Sequence, residues 1–392
     1  MTSDARTELD LLISTRRDLH RHPEVGYEER RTAGIVADRL RAAGWEVQEG
    51  VAVTGVVGTL RGGAGEGPTL MLRADMDALP IQEEAAHEYA SLNPGRMHAC
   101  GHDAHVAIGL AVAERLARRR DEWRGTVRYV FQPAEEGGFG ALRMIEEGVL
   151  EGVDAALGLH VWMDLEAGTV GVVEGPMMAG SREFRIEVRG RGGHGAIPHE
   201  TVDAVMVASQ IVVAAQTIVS RNTSPLETAV LTVGAFRAGD SPNIIADVAV
   251  LEGTLRGYST ELLRRMQARL VELANGVAAA FGATVDVSFG KLPYPPTIND
   301  PRMVSLVVSA ASRFLSPQQI RLDPEVRTMA AEDFAEYGLR VPACYFFLGI
   351  RDEAAGIVHP HHSPRFDVSE SVLPLGVDIL EAAAVSYLNA SD

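Results

Sequence analysis

Cysteine is nearly absent. Only Cys100 and Cys344 occur in 392 residues, so a disulfide framework is excluded as the scaffold of the fold. No uninterrupted run of about 18 apolar residues occurs, so no membrane span is expected. The opening stretch, MTSDARTELD, lacks an apolar signal core, and a cytoplasmic location is the resulting expectation. Positive charge is also scarce: 36 basic residues stand against 53 acidic ones, a net charge of −17. That balance argues against nucleic acid or an anionic membrane as a partner. Neither an internal repeat nor a low-complexity tract interrupts the chain. What is present, 46% hydrophobic and 23% charged residues, is a globular composition, and the length predicts two domains.

The first third alternates helical and strand patterns. Residues 4–22 and 30–43 carry apolar positions at helical spacing, the second ending at Gly44. Helices are also predicted over 104–119 and 140–147. Short apolar runs at 54–60, 69–74, 126–132 and 154–161 read as buried strands between them. Such alternation predicts an α/β fold with a mostly parallel sheet and helices on both faces. From 183 the pattern changes: strand 183–190, helix 202–220, strands 228–237 and 247–258, helix 260–281, strand 284–290. That β-α-β-β-α-β order is the split, ferredoxin-like one. Alternation resumes after KLPYPPTIND, with a buried strand at 341–350. The expectation is one catalytic domain made of 1–179 and 293–392, carrying an inserted α+β domain at 180–292. Hinges are expected near 178–182 and 291–296, around Gly180, Pro293, Pro295 and Pro296.

In open α/β sheets ligands gather beyond the carboxyl ends of the strands. Asp75 and Asp77 follow the 69–74 strand, and Glu135 and Glu136 follow 126–132. The strand at 154–161 runs into His160. The loop MHACGHDAH supplies Cys100, His102, Asp103 and His105, and HPHHSP supplies His359, His361 and His362. Taken singly, each has a bland alternative: glutamates in a loop are usually solvated, and a histidine after a strand is usually a hydrogen-bonded core residue. Cys-x-His is more specific, because thiolate and imidazole two residues apart can grip one soft divalent ion. Falling together at predicted strand ends, they point to a metal site.

The segments HRHPEVGYEE, LRADMDALPI, MHACGHDAH, FQPAEEGG, GLHVW, GRGGHGAIPH, AAEDFAEY and HHSPRFD stand in one order. In that order the chain, from about residue 15 to 372, resembles the metallohydrolase family of bacterial N-acyl-amino-acid amidohydrolases, hippurate hydrolases and plant auxin-conjugate hydrolases. The resemblance implies a dinuclear centre of Mn, Zn, Ni or Co, with Cys100, His102, Glu136, His160 and His362 at the ligand positions. It implies Glu135 as general base, Asp77 as a supporting carboxylate, and His194 as a histidine that in relatives reaches the partner subunit's active site. The expected substrate is a small N-acyl amino acid, cleaved at its amide by a metal-activated water. His361 stays a rival to His362.

Weaker candidates follow. Asn243 and Arg256 lie in the inserted segment, where an arginine could clamp a substrate carboxylate. Met329 matches a position lining the site. Asp103 is a candidate to orient a ligand imidazole. Glu332 and Asp333 read as helix-start charges, and His199 reads either as a helper near the hinge or as a helix-start histidine. The motif at His194 departs from the family pattern, with Gly195 where Ala or Ser is usual. The 202–220 helix is apolar nearly all round, which predicts a homodimer through the inserted domain. Three alternative functions remain open at this point: a biosynthetic N-acetyl amino acid deacetylase, a thiol hydrolase with Cys100 as nucleophile, and a non-catalytic metal-binding or ligand-carrier protein.

Overall fold

The computed structural model describes residues 3–390; positions 1–2 and 391–392, at the outer ends of the expected first and last segments, lie outside the described residues. The chain forms two compact units. The first comprises Met1–Met177, Ile298–Val326 and Asp333–Asp392; the second comprises Met178–Thr297 and Arg327–Glu332. The return of 327–332 to the second unit differs from the expected bounds. Its cause is backbone pairing: the Ala179 N–H donates to the carbonyls of Thr328 (3.1 Å) and Ala330 (2.9 Å).

The first unit is built on a sheet of eight strands. Its early strands are β1 (Glu46–Val51), β2 (Gly55–Arg61), β3 (Thr69–Asp75), β4 (Thr126–Gln132), β5 (Ala155–Glu166) and β6 (Val170–Gly171). Across the sheet the order is β1, β2, β4, β3, β5, Ala343–Arg351, β6 and Ile320–Arg321. From β4 to Ala343–Arg351 the neighbours are parallel, whereas β1 and β2 pair antiparallel at one margin and β6 runs antiparallel to Ala343–Arg351. The parallel centre is apolar along its length, as a sheet covered on both faces requires; every residue of β3 after Thr69 is buried. Strand β1, EVQEGV, escaped the sequence reading because an exposed edge carries no apolar run.

Around the sheet pack α1 (Ser3–Arg21), α2 (Arg30–Ala42), α3 (His102–Arg118), α4 (Gly140–Glu146) and the helices Pro301–Ala311 and Leu373–Asn389. In α2, Thr32, Ala33, Val36, Ala37 and Leu40 are buried at helical spacing. Helix α3 is enclosed nearly all round, from His102 to Leu116, so its polar N-terminus is carried into the interior.

The second unit has a four-stranded antiparallel sheet ordered Ala229–Ala238, Val248–Gly257, Gly180–Arg189, Thr284–Phe289. With α5 (Ala204–Asn222) and α6 (Thr260–Ala280) this is the ferredoxin-like arrangement. Phe184, Ile186, Val207, Ile211, Leu251, Met266 and Leu270 share its core.

Two helices are long and apolar enough to be weighed as membrane spans. By length and composition alone, Ala204–Asn222 and Glu370–Asn389 qualify, each with mean hydropathy 1.4. Enclosed core helices pass the same test, and the second packs Val377, Leu380 and Ala384 into the main core.

A buried charge cluster joins α1 to α3. The Arg16 Nε donates to Asp103 Oδ2 at 2.8 Å and Nη2 to Asp367 at 2.7 Å, with Arg16 and Asp103 fully enclosed. Burial would raise the Asp103 carboxyl, but Arg16 and then His20 overcome it and hold it well below the usual range. A carboxylate with a depressed native pKa stabilises above its ordinary value near 3.9 and loses that contribution as pH falls below it. Replacing Arg16→Leu is therefore expected to cost about 3–5 kcal/mol in urea unfolding at pH 7. The deficit relative to wild type is expected to shrink below about pH 4.

Candidate metal centre

Strand β3 ends at Asp75, and the Met76 N–H still bonds the Gln132 carbonyl at 2.9 Å, extending the β3–β4 ladder by one step. Asp77 follows, buried, and its carboxylate gathers the site. Its Oδ1 lies 3.2 Å from His102 Nδ1 and accepts the Glu135 N–H at 3.1 Å, while Oδ2 accepts the Glu136 N–H at 3.0 Å. A carboxylate acceptor at Nδ1 keeps a proton on that nitrogen, so Nε2 is the one open to an ion. His102 Nε2 is indeed a buried nitrogen with no hydrogen-bond partner.

Cys100 precedes α3, and Gly101 between Cys100 and His102 adopts φ +86°; a Cβ there would meet Val161 Cγ2 at 2.3 Å, so only glycine fits this turn. The Cys100 sulfur is 3.5 Å from His160 Nε2, whose Nδ1 donates to the Val161 carbonyl at 2.6 Å. His160 lies inside β5 rather than after it, just beyond the last β3 pairing at Gly158. Past that point the Val161 N–H is satisfied by His105 Nε2 at 2.9 Å, and His105 Nδ1 bonds Asp75. His362 Nε2 stands 3.1 Å from Glu136 Oε1, a buried oxygen without a hydrogen-bond partner.

Three triplets of donor atoms each fall within 4.8 Å of one another: Cys100–His102–His160, Cys100–Glu136–His362 and His102–Glu135–Glu136. Each pair of triplets shares a residue, so one cluster of lone pairs and carboxylate oxygens results. His361 is placed differently. Its Nε2 accepts the Met163 N–H at 3.2 Å and its ring packs among Trp162 and Phe366.

The electrostatics call for a cation. Burial, then Glu136, Glu135 and Asp75, push the Cys100 thiol well above its usual range. Burial alone would lower His102, but Asp75, Asp77 and Glu136 overcome it and raise the imidazole to about 10. His160 is pushed well below its usual value, chiefly by burial and then by His105. A divalent ion would take the place of the extra proton on His102 and of the proton on Cys100, and the orphaned donor atoms suit one that thiolate, imidazole and carboxylate bind together.

Backbone strain coincides with the donors. Ala134 (φ 52°) and His362 (φ 65°) are non-glycine residues in the left-handed region. Ala134 is held there by Glu29, whose Oε1 accepts its N–H at 2.8 Å while Oε2 accepts from Thr54 at 2.5 Å. Burial, with help from the Asp77 charge, raises Glu29 to about 7. No spacing signal could have found Glu29, 105 residues from its partner.

Two sequence readings need correction here. Asp333 is not a helix-start charge but a buried strut. Its carboxylate accepts from Arg73 (3.1 Å), Gln132 (2.7 Å) and the Ala141 N–H (3.0 Å), and its own N–H donates to Glu135 Oε1 at 3.3 Å. Asp103 faces Arg16 and His20 rather than a donor of the site. His199 sits exposed in the short turn Pro198–Glu200.

The remaining candidates lie in the second unit. His194 and Asn243 are neighbours through the Gly193–His194 and Ile244–Ile245 pairing. The Ala196 N–H donates to His194 Nδ1 at 3.0 Å, so Nε2 carries the proton outward. Arg256 and Met329 are brought together by a 2.8 Å bond from the guanidinium to the Met329 carbonyl.

Because one carboxylate orients His102 and both glutamates, Asp77→Ala is expected to weaken metal binding about 10–100-fold, measured by chelator competition, while leaving the far-UV spectrum unchanged.

Comparison with known proteins places these residues in a family. The description Peptidase family M20/M25/M40 matches residues 71–386. The chain is 40% identical over 383 residues to IAA-amino acid hydrolase ILR1-like 4 of Arabidopsis thaliana, covering 97% of this chain and 86% of that protein. It is 39% identical over 381 residues to N-acetyl-L-cysteine deacetylase of Bacillus subtilis, covering 97% and 89%. Among solved structures, the Bacillus subtilis YXEP protein, described as a dinuclear metal-binding peptidase, superposes with TM-score 0.85 at 34% identity over 98% of this chain and 99% of that one. This chain belongs to the M20/M25/M40 peptidase family of hydrolases.

Proposed function

We propose that the chain is an amidohydrolase that removes the acyl group from N-acyl amino acids and similar small conjugates. Two divalent ions are assigned to Cys100, His102, Glu136, His160 and His362. The observation that carries this reading is the placement of Glu135 beside the donor cluster, with its N–H on Asp77 and its Oε1 held by the Asp333 N–H. Bound there, the ions would polarise the scissile carbonyl and acidify a water. The donor set suits Zn, Ni or Co, with Mn the hardest of the four ions it can take.

Glu135 accepts the proton of the attacking water and passes it to the leaving nitrogen, so the amine departs neutral. Through the homodimer proposed below, His194 would offer its Nε2–H to the oxyanion in the partner subunit's site. Arg256 recognises the carboxylate of the amino acid product. Half-buried, it bonds a neutral carbonyl, and among the described residues no carboxylate lies within ion-pair distance of it. A free fork of this kind is what a ligand carboxylate needs. The two relatives named above act on amino-acid conjugates, which supports this substrate class. An N-acetyl amino acid is the narrower version of the same substrate.

The thiol-hydrolase alternative is disfavoured by the same geometry. A nucleophilic cysteine needs a depressed pKa, and Cys100 is pushed the other way. Two free cysteines suit a reducing compartment, which supports a cytoplasmic location. A homodimer through the second unit is the proposed assembly. Helix α5 exposes Val205, Met206 and Val213, and the edge strand Ala229–Ala238 exposes Phe236.

With N-acyl amino acids as substrates, Glu135→Gln is expected to lower kcat about 10²–10⁴-fold with metal content unchanged. Amine release that persists undiminished in this variant would remove the general base. Arg256→Met is expected to raise KM about 10–150-fold for carboxylate-bearing substrates. For a substrate whose carboxyl is amidated, no such change is expected. A light-scattering mass of one chain at micromolar concentration would overturn the dimer.

A further inference from the structure

A second cluster of imidazoles lies in the first unit, on residues that the reaction does not use. The His20 Nε2 is 3.2 Å and the His87 Nε2 3.1 Å from the same oxygen, Glu83 Oε1. Donor atoms of the three residues all fall within 4.8 Å of one another. His20 and Glu83 are enclosed, their side chains 0% and 3% exposed. Both ring nitrogens of His87 are buried and lack a hydrogen-bond partner, although Nε2 sits so close to a carboxylate oxygen. Such a nitrogen makes no hydrogen bond although a carboxylate oxygen is near, and a buried unsatisfied polar atom calls for a ligand.

We propose that His20, Glu83 and His87 form a further divalent-cation site, distinct from the one centred on Cys100, which takes a zinc-class ion. Each residue is prepared for that role. The His20 Nδ1 bonds Asp103 Oδ2 at 2.8 Å, and Asp103 is kept ionised by Arg16. With Nδ1 on Asp103, Nε2 is the nitrogen that faces the cluster, where an ion would replace its proton to give the carboxylate–histidine–metal arrangement. Glu83 Oε2 is occupied by the Ser91 N–H at 2.6 Å, so Oε1, which faces both imidazoles, is the oxygen an ion would take. The His87 ring is stacked on Tyr89, centroids 3.9 Å apart, and Tyr89 is anchored by a 2.7 Å bond to Asp367. Two imidazoles and one carboxylate are a ligand set that zinc accepts, with a fourth position for water.

The ion would act as a clamp. Residues 76–101 contain no helix or ladder strand, only the isolated bridges at Ala78 and between Leu79 and Met97. A long segment of this kind leads directly into Cys100 and His102. Tying Glu83 and His87 to His20 fixes it to α1, and the His20–Asp103 bond relays that hold to the start of α3.

The test is metal stoichiometry. Protein saturated with Zn²⁺ and freed of excess is assayed by elemental analysis. The wild type is expected to hold one more ion per chain than His87→Phe, which keeps the aromatic stack, and one more than Glu83→Gln, which serves should the first variant not fold. Equal ion content in the wild type and a folded variant would overturn the site. Cobalt gives a second readout. An ion held by Cys100 shows thiolate-to-metal charge transfer, whereas one at His20, Glu83 and His87 adds ligand-field absorption alone. His87→Phe is expected to lose only the latter, and Cys100→Ser only the former. Should the Cys100 centre bind nothing, the one-ion difference between wild type and His87→Phe still decides this site by itself.

Discussion

The carboxylate of Asp77 is the constraint on which the donor geometry rests. It stands just past the end of β3 and takes hydrogen bonds from His102, Glu135 and Glu136. One bond sets the histidine's tautomer; the other two set where the adjacent glutamates begin. Adjacent N–H groups that both point at one carboxylate belong to a turn, and fixing the two from one side gives Glu135 and Glu136 separate stations. The left-handed Ala134 immediately before them is held by Glu29, so the turn is clamped from two carboxylates at once.

Around this point the protein accumulates acid. Asp75, Asp77, Glu135 and Glu136 face a thiol and three imidazoles, and two opposite responses follow. His102, beside the carboxylates, is raised, while His160 and His361, enclosed among apolar rings and other histidines, are lowered. A cation resolves both at once, since it stabilises thiolate and carboxylate and accepts neutral imidazole. The strut Arg73–Asp333 carries the same logic outward: a buried arginine, ionised at any accessible pH, meets Asp75 at 2.5 Å and Asp333 at 3.1 Å beneath the site.

The second unit obeys a simpler rule. Its sheet and two helices enclose one core, yet α5 keeps apolar residues on its outer side, and the strand Ala229–Ala238 leaves one edge unpaired within the sheet. The same unit holds His194, Asn243, Arg256 and Met329 on two separate structural pairs, one at the Gly193–His194 bridge and one at the Arg256–Met329 bond.

Much of this was legible in the chain itself. Apolar periodicity located α2, α3, α5, α6 and the parallel strands, because a buried face imposes its spacing on the residues that fill it. Cys-Gly-His and the paired glutamates announced their chemistry through residue type. Tertiary structure alone decided the rest. Edge strand β1 has no buried face to betray it. Glu29, Asp333 and Arg73 act through bonds that bridge up to 272 residues, and such partners leave no local pattern. The difference between His361 and His362 is likewise a matter of which ring nitrogen meets the Met163 N–H and which meets Glu136, and only folding brings those atoms together.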